Sequence, residues 1–282
     1  MFLRTCLLAL TALVLAPGVA HAAKSYDNCT GFIDSLPITI SAQGTWCLRN
    51  DLATGISAGP AIYIASNNVT LDCNDFKVGN LSAGTGTQAY GVFTTQAINV
   101  TVRNCRFRGF QEAVFLQAPD IAGNYRVEHN HVQGATVAGI DVRGSGSVVR
   151  GNTLTDIGGS TARSEYDAIG ISAERVVDII DNTITGLTAS NVAVGVYTYH
   201  NEGGSIRGNR VRGLDSYSNQ RWGISANASD RAVVRGNDIA AVGGRFGVYC
   251  SSETIRVLDN TITGFVQGVA SCGDAGGNDV SP

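Results

Sequence analysis

The chain has 282 residues, a net charge of −3 and only 15% charged residues. That balance removes the electrostatic case for nucleic acid, and no stretch approaches the ~20 consecutive apolar residues of a membrane span. Its 35 glycines suit a fold that turns after every short strand.

In chain order, the first element is a leader. Arg4 is a short basic start, Cys6 to Ala16 an apolar run, and Ala20-His21-Ala22 a small-x-small cleavage site. This is the pattern of a secretory signal peptide over 1–22, and it predicts an exported protein, periplasmic or extracellular. Residues 23–60 are expected to form an N-terminal cap and first coils, and 61–282 one continuous solenoid.

That expectation rests on a repeated phrase. It reads Leu71-x-x-Asn74-x-Phe76, Val102-x-x-Cys105-x-Phe107, Val127-x-x-Asn130-x-Val132 and Val149-x-x-Asn152-x-Leu154. It continues as Ile179-x-x-Asn182-x-Ile184, Ile206-x-x-Asn209-x-Val211, Val234-x-x-Asn237-x-Ile239 and Val257-x-x-Asn260-x-Ile262. The anchors recur at steps of roughly 22 to 31 residues, the signature of a repeat architecture. Between them stands a small residue followed by apolar-x-apolar, as in Gly139-Ile140-Asp141-Val142 and Gly195-Val196-Tyr197-Thr198. Period-two alternation marks short strands with one buried face. Each coil then holds three strands, giving an all-β parallel β-helix of about nine to ten coils. The Asn column is expected to form a ladder of side-chain amides, interrupted at Cys105, with Asn also supplying the left-handed backbone of a sharp corner.

Seven cysteines are present. Cys6 falls in the leader, and an even set in an exported chain suggests disulfides. The repeat register favours Cys250–Cys272, one coil apart, and Cys73–Cys105 at neighbouring turns; Cys29–Cys47 then closes the cap.

Connections from the anchor corner back to the small-residue strand are long at 74–91, 152–170, 182–195 and 209–223. They are expected to build one wall beside that strand's sheet. Its outward positions read Tyr63, Phe93, Phe115, Asp141, Ser172, Tyr197, Ser225, Tyr249 and Ala270 in one column. A second column contains Gln117, Arg143, Glu174, Tyr199 and Asn227, with His200 at a strand end. Long connections add Asp167 and Trp222. Exposed aromatics beside acids, amides and arginines suit sugar rings, so Tyr197, Trp222, Asn227, Tyr249 and Asp167 are candidate polysaccharide-binding residues. Asp141, Arg143, Glu174, Tyr199 and His200 are the candidate catalytic set: Arg143 to neutralise a uronate carboxylate, Tyr199 and His200 as base and acid. Asp141 or Glu174 would orient them or hold calcium; no other cofactor is indicated. The Asp141–Glu174 spacing also admits paired carboxylates for hydrolysis. An Arg143–Glu174 surface ion pair and aromatic ladders are the structural alternatives. His129 and His131 read as solvated turn residues.

The repeats, with Gly44-Thr45-Trp46-Cys47-Leu48-Arg49-Asn50-Asp51-Leu52 and Asn67-Asn68-Val69-Thr70-Leu71-Asp72, resemble the right-handed parallel β-helix proteins of the pectate-lyase-like superfamily, in the parallel-β-helix-repeat and NosD-like group. The resemblance covers the whole chain after the leader. It implies that the small-residue sheet carries a polysaccharide cleft. It names no reaction: the Asn-Thr-Asp, Asp-Asp, Gly-His-Gly and Arg-Ile-Lys set of polygalacturonases is missing, as are the Asp-Pro-His of mannuronan C5-epimerases and the Arg-x-Pro-x-x-Arg of pectate lyases. The readings are therefore a polysaccharide lyase or epimerase, a non-catalytic carbohydrate-binding protein, or a structural surface solenoid. An end without a capping helix leaves strand edges open, which predicts a monomer or weak self-association.

Overall fold

A computed structural model describes residues 26–228 and 231–282; the leader lies outside them. Parallel strands wind into a β-helix with three strands in each regular coil. One coil runs through Ala168–Glu174, Val177–Ile180 and Thr183–Ala189, and the next through Val192–Tyr199, Ser205–Arg207 and Arg210–Ser216. Strands of like position stack in register. We call these stacks the first, second and third sheets, in the order in which each coil visits them. The second sheet has 11 strands. The first and third join at the C-terminal end, where Asp238–Cys250 and Thr261–Ala270 run unbroken round their shared corner. No helix among the described residues is long and apolar enough to cross a membrane.

The alternating sequence becomes three buried columns. Ile140, Ile171, Val196, Ile224 and Val248 stack on the first sheet; Val149, Ile179, Ile206, Val234 and Val257 on the second; Leu154, Ile184, Val211, Ile239 and Ile262 on the third. All are fully buried, each contributing ~1.5–3 kcal/mol relative to exposure. The small residue before each first-sheet column is a packing requirement. A Cβ on Gly195 would lie 2.4 Å from Val211 Cγ1 and 2.6 Å from the Gly223 carbonyl oxygen.

The amide ladder runs from Asn130 through Asn152, Asn182, Asn209, Asn237 and Asn260 to Asn278. Asn182 shows its wiring. Its Oδ1 accepts from the backbone N–H (2.9 Å) and the Nδ2 (3.0 Å) of Asn152. Its Nδ2 donates to the Val149 carbonyl and to Asn209 Oδ1, both at 3.0 Å. Both amide hydrogens and both lone pairs are used, and three successive coils are tied at one buried point.

The structure corrects the sequence reading at four places. Cys105 does not interrupt the ladder but stands before its first rung: its backbone N–H donates to Asn130 Oδ1 at 3.0 Å. Asn74 lies outside the ladder, because its corner is two residues wider. Leu71 aligns with Val102, yet Lys77 aligns with Arg106, so Val78 rather than Phe76 takes the buried place. The left-handed residue is the one before the ladder Asn, as at His129 (φ 56°), Gly151 (φ 64°), Asp181 (φ 54°) and Asp259 (φ 56°). A side chain that must point inward to its neighbours leaves the tight backbone turn to the preceding residue. Two of the four long connections are not loops either: 182–195 and 209–223 are taken up by seven-residue third-sheet strands, Thr183–Ala189 and Arg210–Ser216.

The disulfides are Cys29–Cys47, Cys73–Cys105 and Cys250–Cys272, as the register favours. Beyond the last cysteine, Gly273–Gly276 and Asp279–Ser281 add two further strands, where the sequence shows only Gly and Asp.

Asn182→Ala orphans the buried donors of Asn152 and the carbonyl of Val149, and is expected to cost about 3 kcal/mol or more. Asn278→Ala, at the half-buried end of the ladder, should cost about 1 kcal/mol. Urea denaturation of the two variants checks this; equal losses would refute the shared-network account.

Candidate functional site

The first outward column is confirmed residue by residue, and the second from Gln117 to Tyr199. Tyr63, Phe93, Phe115, Asp141, Ser172, Tyr197, Ser225, Tyr249 and Ala270 are consecutive register partners. So are Gln117, Arg143, Glu174 and Tyr199. Shallow depressions along the second column share walls. Arg143 and Glu174 line one with Gln117 and Arg175; the next holds Arg143, Ser172, Glu174, Tyr197 and Tyr199; the third holds Tyr197, Tyr199, His200, Asn227 and Ser251. They make one groove parallel to the helix axis.

Asp141 is buried, and Arg143 grips it with two prongs: Nε to Oδ1 at 3.1 Å and Nη2 to Oδ2 at 2.7 Å. Arg143 therefore pairs with Asp141 rather than with Glu174. The guanidinium also lies 4.8 Å above the Phe115 ring, a favourable cation–π placement. Burial pushes the Asp141 carboxyl up while the Arg143 hydrogen bond pulls it down, and the net shift is upward. Both Asp141 oxygens accept from Arg143. Among the described residues no group of three or more His, Cys, Asp and Glu is placed to hold a metal ion.

Tyr199 is exposed, and His200 stands beside it with ring centroids 4.0 Å apart. His200 occupies the left-handed corner (φ 53°), and its Nδ1 is 3.5 Å from Glu202 Oε1. Burial raises the Tyr197 phenol above its ordinary value, so near neutrality it is a hydrogen-bond donor and not a base. Asn227 Nδ2 donates to Ser225 Oγ at 3.3 Å. Asp167 is tied into the scaffold, its Oδ1 accepting from Asn191 Nδ2 and the Val192 N–H. Trp222 is not on a loop. It lies in the strand Gln220–Ala226 and packs against Phe246 (5.4 Å) and Tyr249 (5.3 Å).

Trp222 belongs to a third outward column, which alternation by two residues does not reveal. Tyr90, Glu112, Ala138, Ile169, Val194, Trp222 and Phe246 are register partners, each directly before the small residue. Strict alternation would bury this position. The bend at the small residue turns it outward, where Tyr90 meets Phe93 and Phe115 at 4.9 and 5.5 Å. The residue preceding each small residue is the signal that could have found it.

Glu112 is the consequential member. Its Oε2 is buried without a hydrogen-bond partner among the described residues. Burial first, then the charge of Asp141, push its carboxyl up to about 7, against the pull of Arg143. The two true loops meet above this region: the Thr161 N–H donates to the Thr85 carbonyl at 3.1 Å, and the two hydroxyls are 3.2 Å apart. They bridge the two intervening coils, whose own connections are short. Arg163, on the second loop, acts electrostatically on both Glu112 and Tyr90.

A single-chain parallel β-helix with a groove along its first sheet defines the class. The model of the family described as "Right handed beta helix region" matches residues 27–162 and 120–281, and the chain belongs to that family. Its fold is similar to the A-module of mannuronan C-5 epimerase AlgE6 from Azotobacter vinelandii, at 15% identity and a TM-score of 0.50, covering 89% of this chain and 80% of that one. The DFA-IIIase of Arthrobacter chlorophenolicus A6, solved as mutant C387A with DFA-III, matches at 14% identity and a TM-score of 0.42, over 79% of this chain and 62% of that one. No curated protein sequence matches the chain significantly.

A carboxyl held protonated by the fold stabilises it at low pH and withdraws that stability as pH rises from about 4.5 towards about 7. Glu112→Gln removes this loss. The variant is expected to gain about 3 kcal/mol on the wild type between pH 5 and 8, read from denaturation midpoints across pH. A difference that stays constant with pH would show that Glu112 is not the buried acid.

Proposed function

We propose that the first-sheet groove is a glycan site and that the protein is an exported β-helix that acts on, or binds, an acidic polysaccharide. One observation carries this: the order of outward side chains along the first sheet. Tyr90, Phe93 and Phe115 form an aromatic platform at one end, and Trp222, Phe246 and Tyr249 another. Between them stand Asp141, Arg143, Glu174, Tyr197 and Tyr199, on successive coils ~4.8 Å apart. Platforms stack sugar faces, and the polar centre pairs with hydroxyls and a carboxylate. The three disulfides support an oxidising compartment, and the fold shared with a mannuronan C-5 epimerase module is consistent with a uronan.

For a uronate lyase or epimerase, the bonds to Asp141 occupy Arg143 Nε and Nη2 and leave Nη1 to face the substrate carboxylate. Neutralising that carboxylate makes the C5 proton removable. Tyr199 and His200 then serve as base and acid, with Glu202 orienting the imidazole. The commitment of Arg143 to Asp141 and the exposed setting of His200 favour a second reading, non-catalytic binding on the same face.

Incubation with alginate, pectate and hyaluronan, followed by ultraviolet absorbance of unsaturated uronate and by proton NMR for epimerised residues, separates the two. Catalysis predicts that His200→Ala lowers turnover at least ~100-fold while retaining binding. Turnover that survives His200→Ala would remove the acid–base assignment. In either reading Trp222→Ala should weaken glycan binding about tenfold, an aromatic anchor being worth ~1–2 kcal/mol. Binding indifferent to Trp222 would displace the site from this face.

A further inference from the structure

The third sheet presents the same pair of arginines twice, in two different electrostatic settings. Arg106 and Arg108 are the first and third residues of the strand Arg106–Arg108; Arg210 and Arg212 hold the same places in Arg210–Ser216. Register links them in one column through His131, Thr153 and Thr183. Both pairs point away from the core, as the buried Phe107 and Val211 between them require.

The C-terminal pair is neutralised internally. Asp238 on the next coil is the register partner of Arg210. It takes Arg210 Nε at 3.2 Å on one oxygen and Arg212 Nη2 on the other. The Arg212 hydrogen bond, against some desolvation and with help from Arg210, pulls the Asp238 carboxyl below its usual range. The protein thus shows what this two-arginine arrangement recognises: one carboxylate, shared between the two guanidinium groups.

The N-terminal pair lacks that carboxylate. His131 stands where Asp238 would be, and Gln133 stands opposite Arg108. Lys77 is on the other side of Arg106. Lys77 is engaged by Asp51 at 3.5 Å and Gln133 by Asp156 at 3.1 Å, whereas among the described residues neither Arg106 nor Arg108 has an ion-pair or side-chain hydrogen-bond partner. These side chains line a depression of about 400 Å³, together with the strand positions of Phe107 and Val132 and with Thr153 and Thr155. That volume is in the range of small-ligand sites.

We propose that Arg106 and Arg108 form a second binding site, separate from the first-sheet groove, for the carboxylate of an acidic sugar. The forked guanidinium matches a planar carboxylate. The Gln133 amide and the threonine hydroxyls supply partners for sugar hydroxyl groups. Asp51 and Asp75, which line the same depression, with the net charge of −3, disfavour an extended polyanion such as a nucleic acid. The site does not depend on the first-sheet reading.

The test is a titration of the isotope-labelled full chain with digalacturonate, with maltose as the neutral control, following the backbone amides of 106–108 and 131–133 by NMR. Saturable shifts with digalacturonate and none with maltose are expected. Arg106→Gln combined with Arg108→Gln should weaken binding at least tenfold. His131→Asp supplies in the N-terminal copy the carboxylate that Asp238 supplies in the other. It should also weaken binding at least tenfold while leaving the thermal midpoint unchanged or higher, which separates loss of the site from loss of the fold. Arg143→Gln, on the first sheet, should leave these shifts intact. Absence of shifts at these amides in the wild-type chain, or wild-type affinity in His131→Asp, would overturn the proposal.

Discussion

The buried asparagine ladder is the constraint on which the rest depends. A tight corner between two parallel sheets must place polar backbone groups inside the core, where each unsatisfied one costs about 1–3 kcal/mol. The ladder meets this with one side chain per coil. Asn152 and Asn182 supply the acceptor for the N–H of the preceding Asn and a donor to a carbonyl of the coil below. Because each amide spans three coils, corner and register are specified together. Every outward column follows from that register, and a slip of one residue would send Asp141 and Arg143 inward.

What the scaffold presents is uneven along its length, and the unevenness makes the site. Coils with short connections lie beneath the two loops that meet at Thr85 and Thr161, and there the acids are driest. Asp141 raises the cost of ionising Glu112, Glu174 raises that of Asp141, and Arg143 answers mainly for Asp141. The face thus holds one carboxyl committed to a guanidinium and another near its titration point at neutral pH. Towards the C-terminal end, phenols and an indole replace the acids, and the groove opens at Tyr199 and His200. The third sheet repeats the theme, one arginine pair carrying its carboxylate and the other none.

Much of this was legible in the residues. Two periodicities, the Asn phrase and the small-apolar-x-apolar phrase, place the strands, the core columns, two outward columns and the disulfide pairs. The failures have specific causes. Asn74 has the right residue type in a corner two residues too wide, which only its pairing with the next coil exposes. Glu112 and Trp222 escape the alternation rule because the strand bends at a small residue pressed against the third sheet. The choice of Asp141 over Glu174 as the partner of Arg143 is a matter of rotamer and burial, and sequence spacing allows both.

By itself the sequence determined the solenoid, its coil-by-coil register over most of the length, and which residues face out, because these depend on local periodicity and on one repeated polar side chain. The tertiary structure alone decided which outward groups are dry, which charges are already answered, and where two distant loops meet. Those properties depend on neighbours from other coils, whose spacing along the chain varies from one turn to the next. The raised carboxyl of Glu112, the tethering of Asp167 and the unanswered pair Arg106 and Arg108 all belong to that second kind.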